Sequence, residues 1–221
     1  MDLILFDLDN TLLAGDSDYE WAQYLIEKGV RDRDEHEAKN LHFYAQYQSG
    51  TLDIHEFLDY QLQPLASHPQ AVLKQWREDY VATKIQPMMT ANARALVNSA
   101  LRQTDYVLII TATNRFVTET IATAFGVKHL IGTEPEEING EFTGKVAGTP
   151  SFREGKITRL EEWLAARDLG WDSFATTRFY SDSLNDLPLL NKVDEPIAVD
   201  PDDTLRSHAE AKGWPVISLR D

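Results

Sequence analysis

The sequence predicts an α/β fold: a Rossmann-like, mostly parallel sheet sandwiched by helices, with a small helical-bundle cap inserted after the first strand. Three observations lead there. The chain opens on Leu3-Ile4-Leu5-Phe6, a continuous apolar run suited to a strand buried on both faces. After Pro87, strand-like runs alternate with helical spacings, the pattern of parallel strands joined by crossover helices. Between the two, residues 16–87 carry apolar residues at helical spacing and no convincing strand. The expected organisation is a core built from 1–15 and 88–221, with a helical cap over 16–87.

Within the insertion, Trp21-Tyr24-Leu25, Ile54-Phe57-Leu58-Leu62-Leu65 and Val72-Trp76-Tyr80 mark helix faces. Gly29, Ser49-Gly50 and Ser67-His68-Pro69 divide it into about four helices. Asp53 suits the N-cap of the third, since a short acidic side chain can accept from the free amides of a first turn. The aromatics Trp21, Tyr24, Phe43, Tyr44, Tyr47, Phe57 and Trp76 read mostly as the core of a small bundle, and the charge run 31–37 as a solvated face. Beyond Pro87, a helix over 90–103 leads into a strand over 106–110. A helix with Val117, Ile121 and Phe125 on one face follows and stops at Gly126, a natural C′ residue. Residues 137–142 read as a hairpin closed by a type I′ Asn139-Gly140 turn. A helix over 154–169 and strands over 178–181, 197–199 and 215–218 complete the chain.

Composition narrows the function. The 221 residues include 36 acidic and 21 basic side chains, a net charge of −15 with neutral His. Nucleic-acid backbones and anionic lipid both require clustered Lys and Arg, so neither is an expected partner. The absence of Cys excludes thiolate nucleophiles and Cys-ligated zinc. The longest aliphatic run is 107–110, far short of the about 20 residues that span a bilayer. With no basic leader before the first strand, a soluble cytoplasmic protein is expected. None of the six His shows metal-ligand spacing.

Ligands of open α/β sheets bind beyond the carboxyl ends of the strands. There the sequence places Asp7-Leu8-Asp9-Asn10-Thr11, Thr111-Ala112-Thr113-Asn114 and Ser181-Asp182-Ser183-Leu184-Asn185-Asp186, with Lys156 opening the helix between the last two. Each alone has a plain structural reading, as a capping turn, a strand residue or a solvated lysine. Together they bring four carboxylates, a hydroxyl and an ammonium to one edge. Like charges crowded this way call for a cation, and hard oxygen ligands without His or Cys point to Mg²⁺.

These motifs, in this order, resemble the haloacid dehalogenase superfamily, in the branch similar to phosphoserine phosphatase. Residues 7–11 match its first motif and Thr111 the second. Lys156 within Arg153-Glu154-Gly155-Lys156 matches the third, and residues 181–186 the fourth, with Ser181 where Gly is usual. The resemblance implies a Mg²⁺-dependent phosphomonoesterase acting on a small phosphorylated metabolite. Asp7 would be the nucleophile that becomes an aspartyl-phosphate, and Asp9 the acid and then the base. Thr111 and Lys156 would hold the phosphoryl group, with Asn185 helping. The metal would lie on the Asp7 carboxylate, the Asp9 main-chain carbonyl and Asp182, with Asp186 in support. Asp16 stands where relatives hold the substrate's ammonium, although it could equally cap the next helix. Gly50-Thr51-Leu52-Asp53 matches the stretch that precedes a carboxylate-binding Arg in those relatives, yet residues 54–60 contain no Arg. An amino-bearing ester without a carboxylate is therefore expected. Histidinol phosphate, the substrate of some members of this branch, fits best, and phosphoserine is the alternative if Arg77 or another distant Arg folds back. A phosphotransferase or mutase using the same phosphoenzyme, or a non-catalytic scaffold, are the competing classes.

Overall fold

The computed structural model describes residues 1–49 and 51–220; Gly50 lies outside them. β1 (Asp2–Phe6) leads into four helices, α1 (Ser17–Glu27), α2 (Arg33–Ser49), α3 (Ile54–Ala66) and α4 (Gln70–Tyr80). Then come α5 (Ala91–Gln103), β2 (Val107–Asn114), α6 (Arg115–Ala124), β3 (His129–Thr133) and the hairpin β4 (Pro135–Ile138) and β5 (Glu141–Val146). The chain closes with α7 (Glu154–Ala165), β6 (Thr176–Ser181), α8 (Leu187–Leu190), β7 (Glu195–Val199), α9 (Asp203–Lys212) and β8 (Val216–Ile217).

The main sheet runs β3-β2-β1-β6-β7-β8 with every ladder parallel. β1 is central: Ile4 pairs with Val107 on one side and Arg178 on the other. Because side chains alternate along a strand, Leu3 and Leu5 enter one apolar cluster with Leu160, Leu164 and Leu205. Ile4 and Phe6 enter the opposite one with Val97, Val117 and Ile121. The continuous apolar run is thus buried on both faces. All five ladders of the sheet are parallel, so its strands aim their carboxyl ends at one edge, where the motif residues collect.

The aromatics of the insertion pack on the sheet domain as well as on one another. Trp21 and Tyr80 meet edge to face at 5.1 Å, and Trp21 reaches Phe116 of α6 at 6.2 Å. Trp21, Tyr24, Leu62 and Tyr80 belong to the same apolar cluster as Ile4 and Phe6. Tyr44 is exposed instead. The two ends of the insertion are pinned together, Ala14 N donating to the Met88 carbonyl at 2.8 Å. Asp53 caps α3, accepting from His55 N and Glu56 N. The charge run is not uniformly solvated: His36 is 1% exposed, and Arg31 turns inward onto α3.

The hairpin turn has positive φ at both central residues, 53° at Asn139 and 83° at Gly140, as a type I′ turn requires. β2 runs four residues past the expected end at Ile110, and Asn114 caps α6. β3 and α9 carry too few apolar residues to announce themselves in the sequence. Among the described residues no helix is long and apolar enough to cross a membrane.

Candidate active site

The first site residue follows directly from the ladder. Asp7 N donates to the Tyr180 carbonyl at 2.9 Å, one step past the end of β1, so the Asp7 carboxylate stands at the sheet edge beside β6. The chain then coils through Leu8–Leu12 with Asn10 at φ 54°, which turns Asp9 toward β2. Lys156 approaches from the other side on the first turn of α7. That turn tolerates only glycine at position 155, where an added Cβ would lie 2.1 Å from the Pro150 carbonyl oxygen.

Lys156, 3% exposed, places its ammonium 2.7 Å from Asp7 Oδ1 and 2.7 Å from Asp186 Oδ2. Ser181 Oγ also donates to Asp186 Oδ2 at 2.7 Å and accepts from Ser183 N. The serine standing where the resembling family has glycine therefore orients the acid that holds the lysine. Burial pushes the Asp7 carboxyl up to about 7 against the pull of Lys156, with Asp186 and Asp9 adding to the rise. Burial and then Asp7 push Asp182 well up. Lys156 is raised in spite of burial, because two carboxylates face it.

Asp9 is held differently. Its Oδ1 accepts from Ser17 N at 2.6 Å, and its Oδ2 accepts from Thr113 Oγ1 at 2.8 Å and Thr111 Oγ1 at 3.3 Å. Burial, then Asp16, raise it to about 6 against these donors. Thr111 thus faces Asp9 and also accepts from Thr113 N. Asp16 caps α1, its Oδ1 accepting from Tyr19 N at 2.9 Å, which is the structural alternative foreseen for it. Asn185 is engaged too: Arg153 Nε donates to its Oδ1 at 2.8 Å. The Tyr47 phenol, pushed up to about 12 chiefly by burial, lies 2.6 Å from Ser183 Oγ and brings α2 of the insertion onto the Asp182–Asp186 loop.

Thr113, Ser17, Tyr47 and Arg153 are the site residues that sequence reasoning missed. Thr113 had a signal, since it lies two residues beyond Thr111 on the same strand face. Tyr47 and Arg153 had none, because their partners are remote in sequence.

The donor set fits a cation. Thr11 Oγ1 accepts from Asp182 N, and its single proton points to Asp182 Oδ1 at 3.0 Å or Asp7 Oδ2 at 3.4 Å, not both. Asp7 Oδ2 has no other hydrogen-bond donor among the described residues. Two raised carboxylates with one shared hydroxyl proton are a binding place for a hard divalent ion. Three acidic or His side chains do not form a cage by themselves among the described residues. Asp7 and Asp182 would hold the ion together with main-chain oxygen. Asp186, expected to support the metal, directs its Oδ2 at Lys156 and Ser181.

A family model of haloacid dehalogenase-like hydrolases matches residues 4–191. The chain is 47% identical over 219 residues to the histidinol-phosphatase of Neisseria meningitidis serogroup C (strain 8013), covering 99% of each. A crystal structure of a protein with unknown function from Bordetella pertussis Tohama I matches with a TM-score of 0.94 at 45% identity, over 99% of both chains. A substrate-bound phosphoserine phosphatase shares the fold, with a TM-score of 0.67 at 19% identity over 99% of this chain and 92% of that one.

Proposed function

The chain belongs to the haloacid dehalogenase-like hydrolases and is a phosphoric monoester hydrolase, and we propose that it hydrolyses histidinol phosphate through an aspartyl-phosphate on Asp7. The observation that carries the substrate is the end-to-end likeness, at 47% identity, to a histidinol-phosphatase. The arrangement of positive charge supports it. Arg77, one residue that could have folded back to read a carboxylate, donates to the Phe116 carbonyl at 2.7 Å and lies over the Phe116 ring at 4.5 Å. Residues 54–60 hold no Arg, and Asp59 among them pairs with Lys145 of the hairpin. An ester bearing an amine and no carboxylate suits this cap.

In the reaction we propose, a carboxylate oxygen of Asp7 attacks phosphorus and the bond to the substrate oxygen breaks. Asp9 delivers a proton to that leaving oxygen. Its pKa near 6 lets it carry one for part of the time at neutral pH. Water then attacks the same phosphorus, Asp9 takes the water's proton, and the Asp7 carboxylate is released with inorganic phosphate. Lys156 faces the charge that gathers on the phosphoryl oxygens, and the Thr111 hydroxyl is the nearby neutral donor. Mg²⁺ held by Asp7, Asp182 and the Asp9 carbonyl would neutralise phosphoryl charge. Asp186 would serve by positioning Lys156, and Asn185 by positioning Arg153. Residues 16–87 would act as a cap over the core of 1–15 and 88–221, with Asp16 contributing negative charge near the substrate amine.

The test compares kcat/KM for histidinol phosphate and phosphoserine at equal Mg²⁺. Preference for histidinol phosphate is expected, and a clear preference for phosphoserine would overturn the assignment.

A further inference from the structure

The sequence predicts nothing beyond a short strand for the segment after α9, yet that segment brings Arg220 against the loop carrying Asp7 and Asp9. Arg220 donates through Nη2 to the Asn10 carbonyl and through Nη1 to the Thr11 carbonyl at 3.5 Å. Nη1 also lies 3.7 Å from Asp200 Oδ2, just past β7, and the same oxygen accepts from Leu219 N at 2.9 Å. Leu219 is buried in the cluster that holds Ile4 and Phe6. Its carbonyl accepts from Thr90 Oγ1, at the start of α5, at 2.7 Å. The backbone that presents the guanidinium is therefore fixed from two sides.

What it grips is the turn on which the site depends. Asn10 stands at φ 54°, in the left-handed region, directly after Asp9. Asn10 N donates to the Gly15 carbonyl at 2.8 Å. The peptide joining Asp9 to Asn10 is planar and trans, so that bond also fixes the Asp9 carbonyl, which faces the opposite way. Arg220 takes the carbonyl on the other side of Asn10. Both peptides flanking the left-handed residue are thereby held. Asp182 is secured in the same fashion. Its N–H donates to Thr11 Oγ1 at 3.0 Å, and its carbonyl accepts from Asp202 N at 3.0 Å. Asp202 Oδ2 accepts in turn from Leu184 N at 3.3 Å. Residues 200–202 thus brace both loops, Asp202 acting directly on one and Asp200 through Arg220 on the other.

We propose that Arg220, anchored on Asp200, is a positioning residue for the divalent-cation site, holding the Asp9 carbonyl and the Asp7 and Asp182 carboxylates at the spacing a hard ion demands. The inference rests on the metal-dependent phosphatase reading above and adds to it a residue 210 positions from Asn10 in the chain. Mg²⁺ tolerates little distortion of its ligand shell, and groups that orient ligands from outside the shell change affinity strongly. By charge alone Arg220 is the wrong residue here, since a guanidinium near a cation site repels the cation. Its donors, not its charge, account for its place.

The experiment titrates MgCl₂ into substrate-free protein by calorimetry for wild type, Arg220→Met and Arg220→Lys, and records the melting temperature of each in EDTA. Arg220→Met keeps an apolar stem and removes every donor. Its Kd for Mg²⁺ should rise about tenfold, with the melting temperature in EDTA close to wild type, because the Arg220 side chain is 32% exposed. The sign is diagnostic, for loss of a positive charge by itself would tighten cation binding. Arg220→Lys keeps the charge but offers a point donor in place of a fork, and its Kd should fall between the other two. A Kd for Arg220→Met equal to or below that of wild type would overturn the proposal. Equal weakening in both variants, together with a lowered melting temperature in EDTA, would also overturn it and make Arg220 a tie of the fold rather than of the site. Wild-type protein that binds no Mg²⁺ would instead break the metal-dependent reading and take the proposal with it.

Discussion

The two sides of the cleft treat carboxylates in opposite ways. On the β6 side, Asp7 and Asp186 share a buried ammonium, and each has a short, direct bond to Lys156. On the α1 side, Asp9, Asp16 and Asp18 are served only by amide and hydroxyl donors, from Ser17, Thr113, Tyr19 and Gln61. Neutral donors orient a carboxylate without cancelling its charge. The first arrangement suits an anion that must be held next to a nucleophile. The second leaves negative charge with no cation at ion-pair distance among the described residues, as the proposed amine-bearing ester would require. A ligand carrying a phosphate at one end and an amine near it matches both.

The sharpest way to break this contrast is at Lys156. Asp7→Asn should lower turnover by about a thousandfold or more, because the nucleophile is lost. Lys156→Met should also abolish turnover and in addition cost about 3–5 kcal/mol in urea denaturation, since it leaves two buried carboxylates facing each other. Asp18→Asn, measured the same way, should be neutral or stabilising, because it removes an acid that burial and Asp9 disfavour and that Arg31 favours only from beyond ion-pair distance. Equal costs for Lys156→Met and Asp18→Asn would erase the difference between the two sides.

A second effect follows from pH. Asp7 is raised to about 7 and Asp9, Asp16 and Asp18 to about 6, from an ordinary value of 3.8. The folded state therefore binds protons more tightly than the unfolded chain. The stability this contributes is complete below about pH 4 and is lost as pH rises through 6 to 7. In EDTA the urea midpoint should fall between pH 5 and pH 8, and phosphatase activity should vanish. Added Mg²⁺ should restore activity and raise the midpoint most at pH 8, where the acids it binds are ionised. A midpoint in EDTA that rises with pH would contradict the uncompensated charge. The smallest effect belongs to the exposed pair Lys145–Asp59, 2.6 Å apart. Lys145→Met should change stability by less than about 0.5 kcal/mol.

Much of this architecture is legible in the sequence because the information is local. Leu3-Ile4-Leu5-Phe6 announces a doubly buried strand, and the acids that follow it must then stand at the sheet edge. The Asn139-Gly140 turn is legible because only such residues accept positive φ twice in succession. β3 is not: it is buried on both faces, yet its five residues offer only Leu130 and Ile131 as aliphatic side chains, too short a run to stand out. The inward turn of Arg31 is invisible for another reason: it opens a run of charged residues, and the buried amide that claims it lies thirty residues away on α3. Ser181 shows the same limit. Its departure from the family pattern is plain in the sequence, whereas its bond to Asp186 is a fact of the folded site.

β1 sits in the middle of the sheet although it is the first of these strands to be synthesised. Its two neighbours, β2 and β6, pair with it through Val107 and Tyr180. At roughly 5–20 residues per second, an apolar strand with both hydrogen-bonding edges open waits on the order of ten to forty seconds beside the ribosome for its second partner. Such a strand is a template for aggregation. The segment that emerges next is the helical insertion, whose Trp21, Tyr24 and Tyr80 share a cluster with Ile4 and Phe6 in the finished protein. Those helices are the earliest apolar surface the nascent chain can lay against one face of β1, the strand that delivers Asp7.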